Sequence, residues 1–291
     1  MKIAHISDLH FSKLTLSPLQ FFSKRWIGNL NLFFSRKKGH SPKQVYNILK
    51  ILEKHEVECV FITGDLSTTS RASEFLLALE FIEEIRKKGI KTIVLPGNHD
   101  HYTKSAYKKK LFYSYFTNTD FPYLFKDKAV SLKNEGIEAV KLNDHYCAIT
   151  LDAVVATSLV MSTGLFSEEI EKKLIDVLEN IPQGLNTLVL CHFPFFCIDS
   201  YRKRLIRKEK LKTILEKYNV SIYFHGHTHN HSIANLQPEL PLILDSGSCS
   251  RVKEGYFNIL NLDQDKVGIS VYKSHYLDWK KSKDESINLG I

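Results

Sequence analysis

Leu95-Pro96-Gly97-Asn98-His99-Asp100 decides how the rest of the chain is read. The apolar run from Ile90 to Leu95 has the composition of a buried strand, with Ile93 and Val94 inside. Pro96-Gly97 ends that strand and opens a loop. In the loop, Asn98 offers a neutral side-chain oxygen to a cation. His99 can hold or pass a proton near neutral pH, and Asp100 beside it is expected to orient the imidazole.

Four further polar clusters follow strand-like runs in the same way. They are Asp8-x-His10 after Lys2–Ile6, Gly64-Asp65 after Val57–Thr63, His192 after Thr187–Cys191, and Gly226-His227-Thr228-His229 after Val220–Phe224. Strands alternating with helices predict a largely parallel α/β core whose strand ends share one edge, where ligands collect. Three carboxylate or carboxamide groups and four imidazoles then converge there. Oxygen and imidazole donors without thiolates suit manganese, iron, zinc or cobalt better than a structural zinc knot. One Asp can bridge two ions, which at about 3.5–4 Å form the clamp used on phosphate esters.

In this order the clusters resemble the calcineurin-like metallophosphoesterase family, whose pattern is Asp-x-His, Gly-Asp, Gly-Asn-His-Asp/Glu, a lone His and Gly-His-x-His. The resemblance implies a four-layer αββα sandwich with a dimetal site at the strand ends. It implies that Asp8, His10, Asp65 and His229 hold one ion, and that Asp65, Asn98, His192 and His227 hold the other. It places His99 outside the ligands, facing the phosphate and leaving group and steadied by Asp100. His101, His225 and His231 match no motif position and read as ordinary hydrogen-bonded residues; His5 reads as a core histidine.

The 291 residues read as one metallophosphoesterase domain, with 43% hydrophobic and 25% charged content typical of a globular protein. Five cysteines, with no metal-type spacing, read as reduced and cytosolic. The first strand is expected to begin at Lys2, leaving no room for a signal peptide, and no apolar run approaches the roughly 20 residues that span a bilayer. The net charge of +8 is unevenly placed: Leu9 to Leu52 contains no acid and eight Lys or Arg. Such a block attracts phosphates, nucleic acid or an acidic membrane surface.

The same block is rich in apolar residues. Phe22, Trp26, Leu30 and Phe33 recur at helical spacing within residues 17–40, flanked by Lys24 and Arg25. Two readings stand: a helix packed on the core, or an insertion that overhangs the metal site and meets lipid. Downstream, a helix is expected from Ser41-Pro42, another with Phe75, Ala78, Leu79 and Ile82 inward, and a basic helix over 102–116 whose Lys104 can meet an anionic substrate. A helix follows Ser167, and a basic helix is expected over 201–218. Short strands run to Lys273, Asp245 to Ser248 reads as a turn, and the last dozen residues read as a polar, mobile tail.

Phe21 to Asn29, Gly97 to Thr103 and Cys191-His192-Phe193-Pro194-Phe195 further resemble one subgroup, the UDP-2,3-diacylglucosamine pyrophosphatases of the chlamydial lipid A pathway. A second lipid A branch of the superfamily has Arg at the position of His99. The subgroup resemblance implies hydrolysis of a nucleotide-sugar lipid at its pyrophosphate to a lipid monosaccharide phosphate and UMP. It implies two divalent ions, manganese first, a peripheral place on the cytoplasmic membrane, and no nucleic-acid partner. Phe22, Lys24, Arg25, Trp26 and Lys104 are then the candidate substrate contacts. The alternatives are a soluble phosphodiesterase for cyclic nucleotides or simple diesters, and a non-catalytic scaffold or membrane-binding module.

Overall fold

The computed structural model describes residues 1–13, 39–125, 130–156, 161–196, 201–264 and 266–289. The apolar and basic stretch as far as residue 38, with Phe22, Lys24, Arg25 and Trp26, lies outside them.

Five strands lead to the five motif loops: β1 (Lys2–Ile6), β2 (Cys59–Ile62), β3 (Lys91–Val94), β7 (Asn186–Cys191) and β9 (Ile222–His225). The first sheet completes itself with β12 (Lys253–Leu262), β13 (Lys266–His275) and β14 (Asp278–Asn288) in the order β14-β13-β12-β1-β2-β3. The second adds β4 (Ile137–Lys141), β5 (Tyr146–Leu151), β10 (His231–Ala234) and β11 (Leu242–Ser246) in the order β10-β11-β9-β7-β5-β4. β1, β2 and β3 are parallel, as are β5, β7, β9 and β11. A short parallel pair, β6 (Gly164–Leu165) with β8 (Leu205–Ile206), lies apart.

Two-residue periodicity sorts the strand side chains into layers. On β9, Ile222 and Phe224 join the core between the sheets, while Tyr223 joins the outer cluster. On β7, Leu188 and Leu190 face inward, and Val189 and Cys191 outward. Phe61 and Phe224 meet edge to face across the two sheets, with ring centroids 5.3 Å apart.

Helices close both outer faces. On the first sheet, α1 (Pro42–Tyr46), α2 (Ile48–Lys54) and α3 (Ala72–Lys87) bury Val45, Ile48, Leu52, Phe75, Phe81 and Ile85. On the second, α6 (Glu168–Glu179) and α7 (Lys208–Lys217) bury Leu174, Val177, Leu211 and Leu215. Sequence chemistry starts and stops them. The Glu74 carboxylate accepts from the Thr69 and Arg71 amides at 2.8 and 3.2 Å, and Arg86 and Lys87 end α3. The Ser167 hydroxyl accepts from the Ile170 amide at 3.3 Å, with Glu168, Glu169 and Glu171 in the first turn of α6. The αββα order predicted from the sequence is the observed one.

Several local expectations need correction. Residues 102–116 are not one helix. The short α4 (Lys104–Lys108) ends where Lys110 turns left-handed at φ 47°, and a 3₁₀ turn, Leu111–Ser114, follows. Lys104 sits exposed in its first turn. The segment from Ser41 breaks at Asn47 into α1 and α2. The 201–218 segment splits into a 3₁₀ turn (Tyr201–Lys203), β8 and α7. The C-terminal residues are no free tail: β14 pairs with β13 along its whole length, Trp279 and Ile287 are buried, and the Trp279 indole donates to the Gln44 carbonyl at 3.0 Å. Asp245 and Ser246 end β11 rather than forming a turn. Cys59, Cys147, Cys191 and Cys249 are buried, unpaired thiols. One more short helix, α5 (Leu132–Glu135), follows the 3₁₀ turn Leu111–Ser114.

Candidate metal centre

The loops that leave β1 and β2 run side by side. Asp8 donates its amide to the Gly64 carbonyl, His10 to Asp65 and Phe11 to Leu66, at 3.1, 2.9 and 2.8 Å. The second sheet joins them from above, because the His227 amide donates to Asp8 Oδ2 at 3.1 Å. The Asp8 carbonyl in turn accepts from the Ser248 and Ser250 hydroxyls at 3.0 and 2.8 Å. Loops from both sheets thus fix Asp8 from several sides.

Asp8, His10, Asp65, His227 and His229 all have positive φ, between 48° and 70°. Asp and His enter this left-handed region more readily than branched residues, but at a cost of roughly 1–3 kcal/mol each. Five such residues, all from the expected ligand set, mark a backbone bent to aim side chains. Gly226 shows how tightly the loops meet: a Cβ there would lie 1.9 Å from Ser7 Oγ and 2.6 Å from Asp8 Oδ2.

One half of the centre is the quartet Asp8, His10, Asp65 and His229, whose ligand atoms lie within 4.8 Å of one another. His10 Nε2 and His229 Nε2 face each other at 3.1 Å, and His229 Nε2 is 3.0 Å from Asp8 Oδ1. Burial raises the Asp8 carboxyl, but the charge and hydrogen bond of His229 outweigh it and hold the group well below the usual carboxylate range. Asp65 turns Oδ2 toward this quartet, 3.8 Å from His10 Nε2, and Oδ1 toward the other half, 3.6 Å from His192 Nε2.

In that second half, His192 Nε2 lies 3.1 Å from Asn98 Oδ1. Its Nδ1 is 2.7 Å from the Thr63 carbonyl, an acceptor only, so the proton sits on Nδ1 and the Nε2 lone pair faces the site. His227 packs at 5.0 Å ring to ring against His192, and its Nε2 donates to the Lys203 carbonyl at 3.1 Å, leaving Nδ1 unprotonated. Burial lowers both imidazoles, and His192 lowers His227 further, so both are neutral as ligation requires. Facing lone pairs, two carboxylates and an amide oxygen, without thiolates, form a donor set that fits two divalent ions.

His99 sits beside the first half, its ring edge to face with His10 at 4.9 Å and stacked on Tyr102 at 5.3 Å. Its orienting partner is the Thr68 carbonyl, 2.7 Å from Nδ1, and not Asp100. That corrects the sequence expectation. The buried Asp100 carboxylate instead accepts from the Leu66, Ser67 and Gly97 amides and the Ser67 hydroxyl at 2.8–3.1 Å, tying the β2 and β3 loops together. Asp100→Asn turns an amide N–H₂ toward these donors. We expect a stability loss of about 1–3 kcal/mol per buried group left unmatched, seen as a lower melting temperature. If Asp100 held the His99 tautomer, kcat would instead fall steeply with the melt unchanged.

The other histidines divide. His5 meets Thr63 Oγ1 at 3.0 Å inside the core. His231 meets Asn258 Oδ1 at 2.8 Å. His225 lies 3.4 Å from Asp245 Oδ2, whose carboxylate also accepts from the Thr228 hydroxyl between the two ligand histidines. Sequence reading missed Thr63, Thr68 and Lys203, because a backbone carbonyl has no side-chain signature. It also missed His40 as a site residue: its Nδ1 is 2.7 Å from Ser250 Oγ and its ring 5.6 Å from that of His10.

The family model for calcineurin-like phosphoesterases matches residues 1–231, which include every residue of the centre. The chain belongs to the calcineurin-like phosphoesterase family. It is a metal-dependent hydrolase of the dimetal type. Among solved structures, a dimetal phosphatase from Danio rerio is similar at 14% identity and TM-score 0.67, covering 99% of each chain. A purple acid phosphatase from yellow lupin is similar at 13% identity and TM-score 0.61, over 99% of this chain and 53% of that one. GAP50, described as the anchor in the inner membrane complex of Plasmodium, is similar at 12% identity and TM-score 0.59, over 100% of this chain and 89% of that one. At these identities the likeness establishes the fold. No curated protein matches the chain significantly.

Proposed function

We propose that this phosphoesterase hydrolyses the pyrophosphate of UDP-2,3-diacylglucosamine, giving a lipid monosaccharide phosphate and UMP, with manganese as the working metal, at the cytoplasmic membrane surface. One observation supports a lipid substrate beyond the sequence resemblance. The described residues that flank the apolar, basic stretch in sequence include candidate ligands and their neighbours. His10 is three residues before one end, and His40, beside the other, packs against His10 and His229 at 5.6 and 6.3 Å. Acyl chains and a diphosphate are the chemistry that a sequence of this apolar and basic composition would meet. No described helix is long and apolar enough to cross a membrane, so contact with lipid is proposed as peripheral.

When bound, two divalent ions supply Lewis acidity toward phosphoryl oxygens and lower the pKa of water. The chain does the rest. Asp8, His10 and His229 on one side, and Asn98, His192 and His227 on the other, hold the centre open around Asp65. Thr63 and Lys203 carbonyls fix the tautomers of His192 and His227, keeping the intended nitrogen free of a proton. For His99 the Thr68 carbonyl engages Nδ1 and leaves Nε2 for the substrate; protonated on both nitrogens, the imidazolium can donate Nε2–H to phosphoryl oxygens or pass that proton to the leaving group. Water attacks one phosphorus in line, and no covalent enzyme intermediate is required.

The deciding assay offers the manganese-loaded protein UDP-2,3-diacylglucosamine, a cyclic nucleotide and a simple aryl diester. The expected result is a clear preference for the nucleotide-sugar lipid, increased by detergent or vesicles. Preference for the soluble diesters, indifferent to lipid, would overturn the lipid substrate and leave a general phosphodiesterase.

A further inference from the structure

A cavity of about 390 Å³, within the size range of small-molecule sites, runs from the loop after β3 to β6. His101, Tyr107, Lys108, Tyr113, Lys133 and Asp152 line it. Two routes connect its walls to the centre. His101 follows His99 by two residues in the β3 loop. On the other wall Leu165 belongs to β6, whose Gly164 lies against Phe193, and the Phe193 ring packs 5.2 Å from His192 and 4.9 Å from His227.

His101 is 4% exposed, and both its ring nitrogens lie buried without a hydrogen-bond partner among the described residues. A buried imidazole in that state costs free energy unless something pairs with it. Its ring is boxed by aromatics, with Tyr107 at 5.5 Å and Tyr113 at 6.2 Å. On the facing wall Asp152 is held rigidly, taking the Tyr113 hydroxyl at 2.6 Å and the Val154 amide at 2.9 Å. Lys108, Lys110 and Lys133 add three amines, and Glu135 and Glu169 two further carboxylates. Flat aromatic walls, a buried hydrogen-bonding edge, carboxylates and cations are what a nucleotide uses: a base to stack and read, ribose hydroxyls that donate, and a phosphate to neutralise.

We propose that this cavity binds the nucleotide end of the substrate, with His101 reading the base and Lys108 and Lys133 meeting the phosphate that leads to the metal centre. The site rests on the reading above that the substrate ends in a nucleotide. It leaves the other side of the centre, where His40 lies, to the lipid.

Titrating the manganese-loaded full chain with UMP, ribose 5-phosphate, glucosamine 1-phosphate and inorganic phosphate tests the site by calorimetry. UMP should bind about tenfold or more tighter than ribose 5-phosphate, the value of one or two well-placed hydrogen bonds. His101→Phe, which keeps the aromatic box and removes both nitrogens, should erase most of that preference. Lys108→Ala, a change of an exposed α4 side chain, should weaken UMP several-fold and uridine, titrated alongside, little. Equal binding of UMP and ribose 5-phosphate in the unaltered protein would overturn the site. So would a UMP affinity unmoved by Lys108→Ala, or a preference for glucosamine 1-phosphate that His101→Phe removes. The two proposals fail separately. UMP preference without hydrolysis of UDP-2,3-diacylglucosamine would remove the lipid and keep the site. Hydrolysis of that lipid without UMP preference would remove the site and keep the lipid.

Discussion

Replacing Asp65 by Ala is expected to cost more than about 100-fold in kcat/KM, beyond what loss of a supporting residue around a metal costs. Asp65 turns one carboxylate oxygen to each half of the centre, with Oδ2 3.8 Å from His10 Nε2 and Oδ1 3.6 Å from His192 Nε2. Its Oδ1 also accepts the His99 amide at 2.7 Å, so the β3 loop loses an anchor in the same change. Metal retained after dialysis should fall well below two ions per chain. Asn98→Ala removes a neutral ligand from one half only and should cost less in both measurements. Equal losses for Asp65→Ala and Asn98→Ala would contradict a shared ligand, and a fully active Asp65→Ala protein in chelator would end the dimetal account.

His99→Ala should separate chemistry from metal binding. Its kcat is expected to drop by about 10²–10⁴, the range for a lost general acid or charge stabiliser, with metal content near that of the unaltered protein. The His99 contact to Asp65 is made by its backbone amide, which the substitution leaves in place. Its imidazole has Nδ1 on the Thr68 carbonyl and its ring stacked on Tyr102, so Nε2 is the atom presented. A second readout distinguishes the two jobs that Nε2 can do. If it protonates the leaving group, the loss should shrink for an ester whose leaving group needs no proton, such as p-nitrophenol. If it only neutralises phosphoryl oxygens, the loss should be the same for both. Metal content falling in step with activity would mean that His99 is a ligand.

The gathering of the candidate ligands was legible in the sequence because cation-binding side chains recur just after strand-like apolar runs. Asp8, His10, Asp65, Asn98, His192, His227 and His229 follow apolar runs, and the structure gathers them at one edge of two sheets. The layers were legible too, since period-2 strands and helices with buried stripes leave few ways to cover both faces of each sheet. Orientation was not. Asp100 neighbours His99 in sequence, yet the β3 loop turns, its Asp100 amide on the Gly97 carbonyl at 3.0 Å, and the Asp100 carboxylate accepts from the Leu66, Ser67 and Gly97 amides. The fixing contacts of three imidazoles fall on the carbonyls of Thr63, Thr68 and Lys203, groups that every residue carries. The C-terminal strand was hidden because only Trp279, Ile287 and Leu289 are buried in a segment otherwise polar, and its partner β13 supplies the order. The helix expected over 102–116 failed because a basic, aromatic composition tolerates a helix without requiring one. There Phe112, Tyr113 and Phe116 bury themselves better by breaking it at Lys110.

The central claim is that two ions share Asp65. Anomalous scattering from crystals of the manganese-loaded protein measures it directly. Two peaks are predicted, about 3.5–4 Å apart, one beside Asp8, His10 and His229, the other beside Asn98, His192 and His227, with the Asp65 carboxylate reaching both. A single peak in a saturated, active crystal, or two peaks of which only one touches Asp65, would contradict the account.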